Sequence, residues 1–168
     1  MSARLAPHPQ HPAAPLQRRA MTVSDLQAVV AIEANTYSHP WSRGNFTDSL
    51  AAGYLAEVLL DDEASVVGYF VAMKGMDELH LLNITVAPAW QGQGHGCGLL
   101  AALQQHARQL GLASLWLEVR QGNQRARDLY RQLGFAEVGL RPGYYPAAGG
   151  REAAVVMSLM LRAADAVD

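Results

Sequence analysis

A glycine-rich run is the part of this sequence whose residue types and spacing point most clearly to chemistry. Between Gln91 and Gly98 every second residue is glycine, and apolar residues then recur at helical spacing until Gly111. The N–H groups at the start of a helix attract a phosphate, and glycine leaves room for it to approach. The run has neither the Gly-Lys-Ser/Thr ending of a P-loop nor the spacing of a Rossmann fingerprint. It therefore predicts a phosphate site of another class, or a glycine-rich turn that binds nothing.

Two side chains that follow this run could transfer protons. Glu118 lies at the end of the apolar run 115–119, and Tyr130 lies on a helix predicted to begin after Asn123. A carboxylate can accept a proton from an amine, and a phenol, whose ordinary pKa is about 10, can donate one. Each residue also has a purely structural interpretation. Glu118 could pair with Arg120 or a neighbouring arginine, and Tyr130 could fill the core.

Metal and cysteine chemistry have less support. His95 and His106 share one predicted helix but have no acidic partner at ligand spacing, so no metal is expected. Cys97 is the only cysteine, which excludes an intramolecular disulfide and favours a reducing, cytoplasmic setting. We interpret Cys97 as a small packing residue, because no His-Asp arrangement that would activate a thiol is visible.

The apolar pattern predicts the elements that position these residues. They are helices over 25–35 and 42–50, strands over 54–60, 66–73 and 79–86, the helix after the glycine run, a strand over 115–119, a helix from Asn123 to Gly134, and strands over 135–139 and 153–161. Ser24 and Gln27 have the spacing of a capping box for the first helix, and 140–152 is expected to be an irregular loop. The order indicates an α+β (mixed α/β) fold whose central sheet is antiparallel in its N-terminal half and has parallel crossovers in its second half, flanked by about four helices.

Composition limits the class of protein. The chain has 168 residues, of which 50% are apolar and 17% charged, with a formal net charge of −2. These values favour one globular domain over a membrane span or a strongly basic nucleic-acid binder. Residues 1–20 contain three arginines, four prolines and no acid, so we expect a disordered tail of charge +3 and a remainder of charge −5. The predicted organisation is this tail, a domain over 21–162 and a C-terminal tail over 163–168.

The sequence resembles the GNAT family of acetyltransferases at several of these positions. The family pattern Q/R-x-x-G-x-G/A is present as Gln91–Gly96 after the strand 82–86, and Tyr130–Phe135 matches the family's Y-x-x-x-G-F element. Other residues resemble the RimI-type ribosomal-protein alanine N-acetyltransferases, namely Pro40–Ser42, Leu115–Arg120, Asn123, Arg141, Tyr144–Pro146 and Gly150–Glu152. The resemblance covers residues 21–161. It departs at Gly92 and Cys97, where relatives often carry a basic residue.

The resemblance implies a GNAT-like sheet with a splayed parallel pair, acetyl-CoA as co-substrate and no metal. The free edge of the splayed strand would pair with the pantetheine arm, and an N–H there would polarise the thioester oxygen. The implied site residues are Ile84, Thr85, Val86, Gln91, Gly92, Gln93, Gly94, His95, Gly96, Cys97 and Asn123 for acetyl-CoA; Glu33, Trp41, Arg141, Tyr144 and Tyr145 for the acceptor; and Glu118 as base with Tyr130 as acid. Trp41, Arg141 and the two tyrosines are expected in loops.

The acceptor implied by the resemblance is the N-terminal α-amine of a protein, an alanine of a small-subunit ribosomal protein. No nucleic-acid or membrane partner is expected, and an acidic domain would suit a basic protein terminus. Two alternatives remain open. One is acetylation of a small amine or a lysine side chain by the same fold. The other is a catalytically silent acyl-CoA-binding module, against which the presence of both Glu118 and Tyr130 argues.

Overall fold

The computed structural model describes residues 16–161, which form a seven-stranded mixed sheet with helices packed on both faces. The elements are β1 (Gln17–Ala20), α1 (Leu26–Thr36), α2 (Arg43–Ala51), β2 (Leu55–Leu60), β3 (Val66–Lys74), β4 (Glu78–Val86), α3 (His95–Gln109), β5 (Ser114–Arg120), α4 (Gln124–Gln132), β6 (Ala136–Ala147) and β7 (Gly150–Met160). The strand order is β1-β2-β3-β4-β5-β7-β6, in which β4 and β5 are parallel and the other neighbours antiparallel. The predicted mixed α/β fold is confirmed. Among these described helices none is long and apolar enough to cross a membrane.

Helices cover both faces of the sheet, which explains the nearly continuous apolar run of β3. Successive strand residues point to opposite faces. Phe70 therefore belongs to the core that contains Leu99 and Leu103 of α3, and Tyr69 belongs to the core that contains Phe46 of α2. These side chains are almost fully buried. The two cores fix α3 on one face of the sheet and α1 and α2 on the other.

The parallel strands β4 and β5 separate after a short ladder. Glu78–Leu81 pairs with Ser114–Leu117, and the ladder between the two strands ends there. On the other edge of β4, Val71 pairs with Asn83 and Ala72 with Leu81, so Leu82 is an extra residue. Such a bulge bends its strand, which accounts for the divergence of β4 from β5. The splayed pair implied by the family resemblance is therefore present.

The sheet begins before the predicted domain boundary at residue 21. The four residues of β1 pair with Glu57–Leu60, so the expected disordered tail is wrong for 17–20. Arg18 Nε lies 3.1 Å from Glu57 Oε1, and Arg19 donates two hydrogen bonds of 2.8 Å to Asp25. Without β1, the edge of β2 would be unpaired. Residues 1–15 and the predicted C-terminal tail lie outside the described residues.

The segment predicted as an irregular loop, 140–152, is a β-hairpin. Because β6 continues to Ala147, the residues Arg141, Tyr144 and Tyr145 lie on a strand and not in a loop. The two prolines of β6, Pro142 and Pro146, are tolerated for two reasons. β6 is an edge strand, and its register with β7 shifts between Arg141 and Tyr145.

The helix starts were predicted with one error. Ser42 and Asn123, the predicted first residues of two helices, cap α2 and α4 through their side chains. The capping box expected to begin at Ser24 is formed by Thr22 and Asp25 around a short 3₁₀ turn. The Asp25 carboxylate accepts from the Thr22 N–H at 2.8 Å while it also accepts from Arg19 of β1. The contact with β1, which the local pattern did not predict, favours this position.

Candidate active site

Two cavities open where β4 and β5 separate, and they meet at Tyr130. The first, about 890 Å³, lies between the glycine run, the end of β4 and α4; we call it the glycine-side cavity. The second, about 570 Å³, lies between the ends of β4 and β5, α1 and the loop after α1; we call it the Glu118-side cavity. Both volumes fall in the range of small-molecule sites. The residues that line both are Tyr37, Ile84, Asn123, Ala126 and Tyr130.

The glycine run forms the rim of the glycine-side cavity. Gly92 and Gly94 have φ angles of +76° and +86°, which favour glycine, and α3 begins directly after Gly94. Gly96 lines the cavity from the first turn of α3, and the space that a side chain would occupy is open. First-turn N–H groups have no acceptor within a helix. The run therefore presents amides to a cavity, an arrangement that fits the pyrophosphate of acetyl-CoA.

The glutamine side chains of the run brace its backbone. Gln91 Nε2 donates to Val86 O at 3.0 Å, and Gln93 Nε2 donates to Ala89 O at 3.4 Å. Gln91 lines the glycine-side cavity with His95 and Cys97, whereas Gln93 is not among the lining residues. Of the predicted acetyl-CoA residues in the run, Gln93 is thus the one that the cavity does not include.

Arg125, on the first turn of α4, brings a cation to the glycine-side cavity. It forms no ion pair within the described residues, unlike Arg127 and Arg131 of the same helix, which both bind Glu137. The sequence analysis missed Arg125, because its position on α4 relative to the glycine run depends on how the helices pack. It supplies positive charge in a cavity where Gly92 and Cys97 lack it.

Tyr37, also missed by the sequence analysis, connects the end of α1 to β4. Its hydroxyl donates to Ile84 O at 3.0 Å and lies 2.8 Å from Thr85 Oγ1. Burial is the main cause that raises the pKa of Tyr37, and the charge of Glu33 acts in the same direction. The residues predicted to form the pantetheine strand, Ile84, Thr85 and Val86, all line the glycine-side cavity.

Glu118 lies in the wall of the Glu118-side cavity, where basic groups from two other strands contact its carboxylate. Its Oε2 is 2.5 Å from Nε2 of His80 on β4, and its Oε1 is 3.7 Å from Nη2 of Arg141 on β6. Only 7% of the Glu118 side chain is exposed. The structural interpretation allowed a pairing with Arg120 or a neighbouring arginine. Arg120 instead binds Glu152 at 3.2 Å, and the arginine that contacts Glu118 is Arg141. His80 was not identified from the sequence.

Tyr130 packs as its structural interpretation predicts and also lies where the two cavities meet; its role as an acid stays a prediction. Its ring packs against Phe135 with centroids 5.7 Å apart, as a core residue would. The residue also lines both cavities, and burial raises its pKa to about 12. The hydroxyl therefore remains protonated at neutral pH. Asn123 lines both cavities as well and caps α4 by accepting from Ala126 N at 3.2 Å.

The residues predicted to bind the acceptor divide into two groups. Glu33, Trp41 and Tyr145 line the Glu118-side cavity, whereas Arg141 and Tyr144 do not. Arg141 instead contacts Glu118 and stacks on the Tyr144 ring at 5.5 Å. Burial raises the pKa of Tyr145, and the negative charge of Glu118 raises it further.

Comparison with known proteins agrees with this geometry. The model of the acetyltransferase (GNAT) family matches residues 26–135. The chain therefore belongs to the GNAT family, whose members use acetyl-CoA, and it is an N-acetyltransferase.

Within that family the chain is similar to enzymes with one named substrate. It is 38% identical over 138 residues to the [ribosomal protein bS18]-alanine N-acetyltransferase of Haemophilus influenzae, which covers 82% of this chain and 93% of that relative. The crystal structure of the ribosomal-protein-S18-alanine N-acetyltransferase from Escherichia coli superposes with a TM-score of 0.81 at 36% identity, covering 86% and 93% of the two chains.

A phosphinothricin acetyltransferase from Sinorhizobium meliloti, in complex with AcCoA, shares the fold with a TM-score of 0.74 at 21% identity, covering 92% of this chain and 93% of that chain.

Proposed function

We propose that this protein transfers the acetyl group of acetyl-CoA to the N-terminal α-amine of a protein, and that the acceptor residue is the N-terminal alanine of ribosomal protein bS18. The relatives named for this reaction are 36–38% identical to the chain, and it matches 93% of their length. The observation that carries the proposal is that two cavities meet at Tyr130, with the glycine run on one side and Glu118 on the other.

The glycine-side cavity binds acetyl-CoA, which supplies an acyl group activated as a thioester. The amides of Gly92–Cys97 and the guanidinium of Arg125 bind its phosphates. The edge of β4 at Ile84–Val86 is free of β5 and lines the cavity, so its backbone groups pair with the pantetheine arm. An N–H on this edge polarises the thioester oxygen.

Glu118 is the base that receives the proton of the amine, directly or through one water. A terminal α-amine has a pKa of about 7.7–8.0, whereas a lysine amine has about 10.4, so a terminal amine is appreciably neutral at pH 7 and needs only a weak base. His80 and Arg141 hold the carboxylate in the cavity wall. Because a weak base is enough for a terminal α-amine but not for the more basic lysine amine, this site favours α-amines over lysine side chains.

Tyr130 is the acid for the departing thiolate. The amine nitrogen forms a bond to the carbonyl carbon, and the carbon–sulfur bond breaks. One proton leaves the amine for Glu118, and the sulfur takes one from the Tyr130 hydroxyl. Burial raises the pKa of Tyr130; it also disfavours the thiolate of a thiol held beside it, so proton transfer remains feasible.

The test is an assay with matched peptides. The full-length protein is incubated with acetyl-CoA and a peptide that begins with alanine and contains one internal lysine, or with the same peptide carrying a blocked N-terminus. Mass spectrometry should find one acetyl group on the α-amine of the free peptide and none on the blocked one. Acetylation confined to lysine, or to a small amine such as a polyamine added in parallel, would overturn the proposal. Acetyl-CoA binding without any transfer would indicate a silent module.

A further inference from the structure

A chain of hydrogen bonds runs beneath both cavities from Tyr37 to Glu33. The Tyr37 hydroxyl lies 2.8 Å from Thr85 Oγ1, and Thr85 donates to Asn83 Oδ1 at 2.8 Å. The Asn83 amide then donates to both oxygens of Glu33, at 3.1 and 3.2 Å. Thr85 and Glu33 are only 3% and 2% exposed. The chain is thus built largely from buried groups.

The carboxylate of Glu33 sets the direction of these bonds. It also accepts from the backbone N–H of Trp41 at 3.1 Å and from the Tyr69 hydroxyl. An ionised carboxylate can only accept, so Asn83 must point its NH₂ group at Glu33 and its oxygen at Thr85. Thr85 then donates to Asn83, and the single Tyr37 proton is shared between Thr85 and Ile84 O. The Thr85 and Asn83 donors are therefore both oriented toward Glu33.

The chain joins the two cavities because its members belong to different walls. Thr85 lies on the edge of β4 that lines the glycine-side cavity, whereas Glu33 and Trp41 line the Glu118-side cavity. Tyr37 lines both. A ligand that restrains the end of β4 therefore restrains Asn83 and Glu33, and through Glu33 the backbone of Trp41.

We propose that the hydrogen-bond chain Tyr37–Thr85–Asn83–Glu33 couples the two substrate sites. Acetyl-CoA bound along β4 then orders the wall of the Glu118-side cavity at Trp41. This inference rests on the proposed function, since it assigns one cavity to each substrate. Coupling between sites is reciprocal. An acceptor peptide must therefore tighten the binding of CoA by the same factor by which CoA tightens the binding of the peptide.

Hydrogen exchange with and without saturating CoA tests the coupling without an acceptor. In the full-length wild-type protein, CoA should slow exchange both in the glycine run and at the Trp41 N–H, the latter by about fivefold or more. In Thr85→Val and in Tyr37→Phe, with the CoA concentration raised to saturate each variant, the amides of the glycine run should still be protected, but protection at Trp41 should be lost. Thr47→Val is the matched control, because it removes a hydroxyl that bonds Arg43 O on α2, outside both cavities.

The outcomes separate this inference from the proposed function. Equal protection at Trp41 in all variants, or none in the wild type although CoA protects the glycine run, would overturn the coupling. Protection at Trp41 with no acetylation of the alanine peptide would support the coupling and overturn the proposed acceptor. Absence of CoA protection in the glycine run would overturn both. For the wild type, CoA should lower the Kd of the alanine peptide and the peptide should lower the Kd of CoA by the same factor, whereas for Thr85→Val that factor should be near one.

Discussion

The Glu118 carboxylate lies 2.5 Å from Nε2 of His80, a residue of the strand that runs parallel to its own. The parallel ladder ends at Leu81 and Leu117, so His80 belongs to the paired part of β4 and Glu118 is the first residue of β5 beyond the pairing. The imidazole therefore holds the carboxylate from a rigid part of the sheet while the carboxylate faces the cleft. With Glu118 ionised, the ring nitrogen is the donor.

Removing the His80 donor should destabilise the protein through Glu118. His80→Leu leaves a nearly buried carboxylate with only the longer contact to Arg141, and we expect the free energy of unfolding to fall by about 1–3 kcal/mol. His80→Gln keeps an N–H donor and should lose less. Urea denaturation of the two variants measures the difference. Wild-type stability in His80→Leu would show that the contact does not stabilise the fold.

Replacing the proposed base should affect turnover and not acetyl-CoA binding. We expect Glu118→Gln to lower kcat by about 10²- to 10⁴-fold and to leave the Kd of acetyl-CoA unchanged, because Glu118 does not line the glycine-side cavity. Glu137→Gln is a suitable control, since Glu137 pairs with two arginines of α4 and lines neither cavity. A kcat close to that of the wild type in Glu118→Gln would exclude it as the base.

Local sequence predicted the positions that follow from spacing along the chain. The glycine run, the cap at Asn123, and the placement of Glu118 and Tyr130 at the ends of their elements depend on near neighbours in sequence. His80, Tyr37 and Arg125 were missed because each reaches the site through strand register or helix packing, which a single sequence does not display. For His80, the sign that the sequence offered was its position in the predicted strand before the glycine run.

The N-terminal boundary of the domain was also missed, because β1 depends on pairing with β2. This error changes the net charge of the folded domain. β1 is short and polar, and its four residues carry no strand pattern; pairing with β2 and two arginine contacts hold it in place. Because Arg18 and Arg19 belong to the folded part, residues 17–168 contain 12 basic and 15 acidic residues and carry −3, where −5 was expected for residues 21–168. The acidic field expected from −5 is thus weaker in the described domain, and long-range attraction of a basic terminus loses support.

Tyr130→Phe should distinguish the contribution of the Tyr130 hydroxyl from that of its ring. The ring contact with Phe135 is kept, so stability at pH 7 should change little while kcat falls. Burial raises the pKa of Tyr130 from 10.0 to about 12, so the phenol ionises at a lower pH in the unfolded chain than in the folded protein, and the free energy of unfolding of the wild type falls as the pH rises from 10 through 12. Wild type should then lose up to about 2–3 kcal/mol relative to the variant. Parallel pH dependences of unfolding would contradict the assignment.

Asp25→Asn should weaken the attachment of β1. The Arg19 guanidinium is the main cause that lowers the pKa of Asp25 below its ordinary value of 3.8, so the carboxylate stabilises the fold above that pH and stops doing so as the pH falls through the lowered value. At pH 7 we expect a loss of about 1 kcal/mol, typical of a disturbed helix cap. The difference from wild type should vanish in strong acid. A gap that persists unchanged to pH 2 would show that the charge is not its origin.

Arg125→Gln should weaken acetyl-CoA binding if the guanidinium compensates for the missing basic side chains at Gly92 and Cys97. Loss of one partly exposed contact of this kind costs about 1 kcal/mol, which corresponds to roughly a fivefold higher Kd. Arg131→Gln makes the same change of charge on the same helix, but Arg131 lines neither cavity and should leave the Kd unaltered. Titration of the wild type and both variants with CoA and with 3′-dephospho-CoA identifies the phosphate that Arg125 contacts. If it is the 3′-phosphate, the wild type and Arg125→Gln should have the same Kd for 3′-dephospho-CoA. If it is the pyrophosphate, the difference in Kd should remain with both ligands. Equal Kd values for the two arginine variants with both ligands would mean that only the backbone amides of the glycine run hold the phosphates.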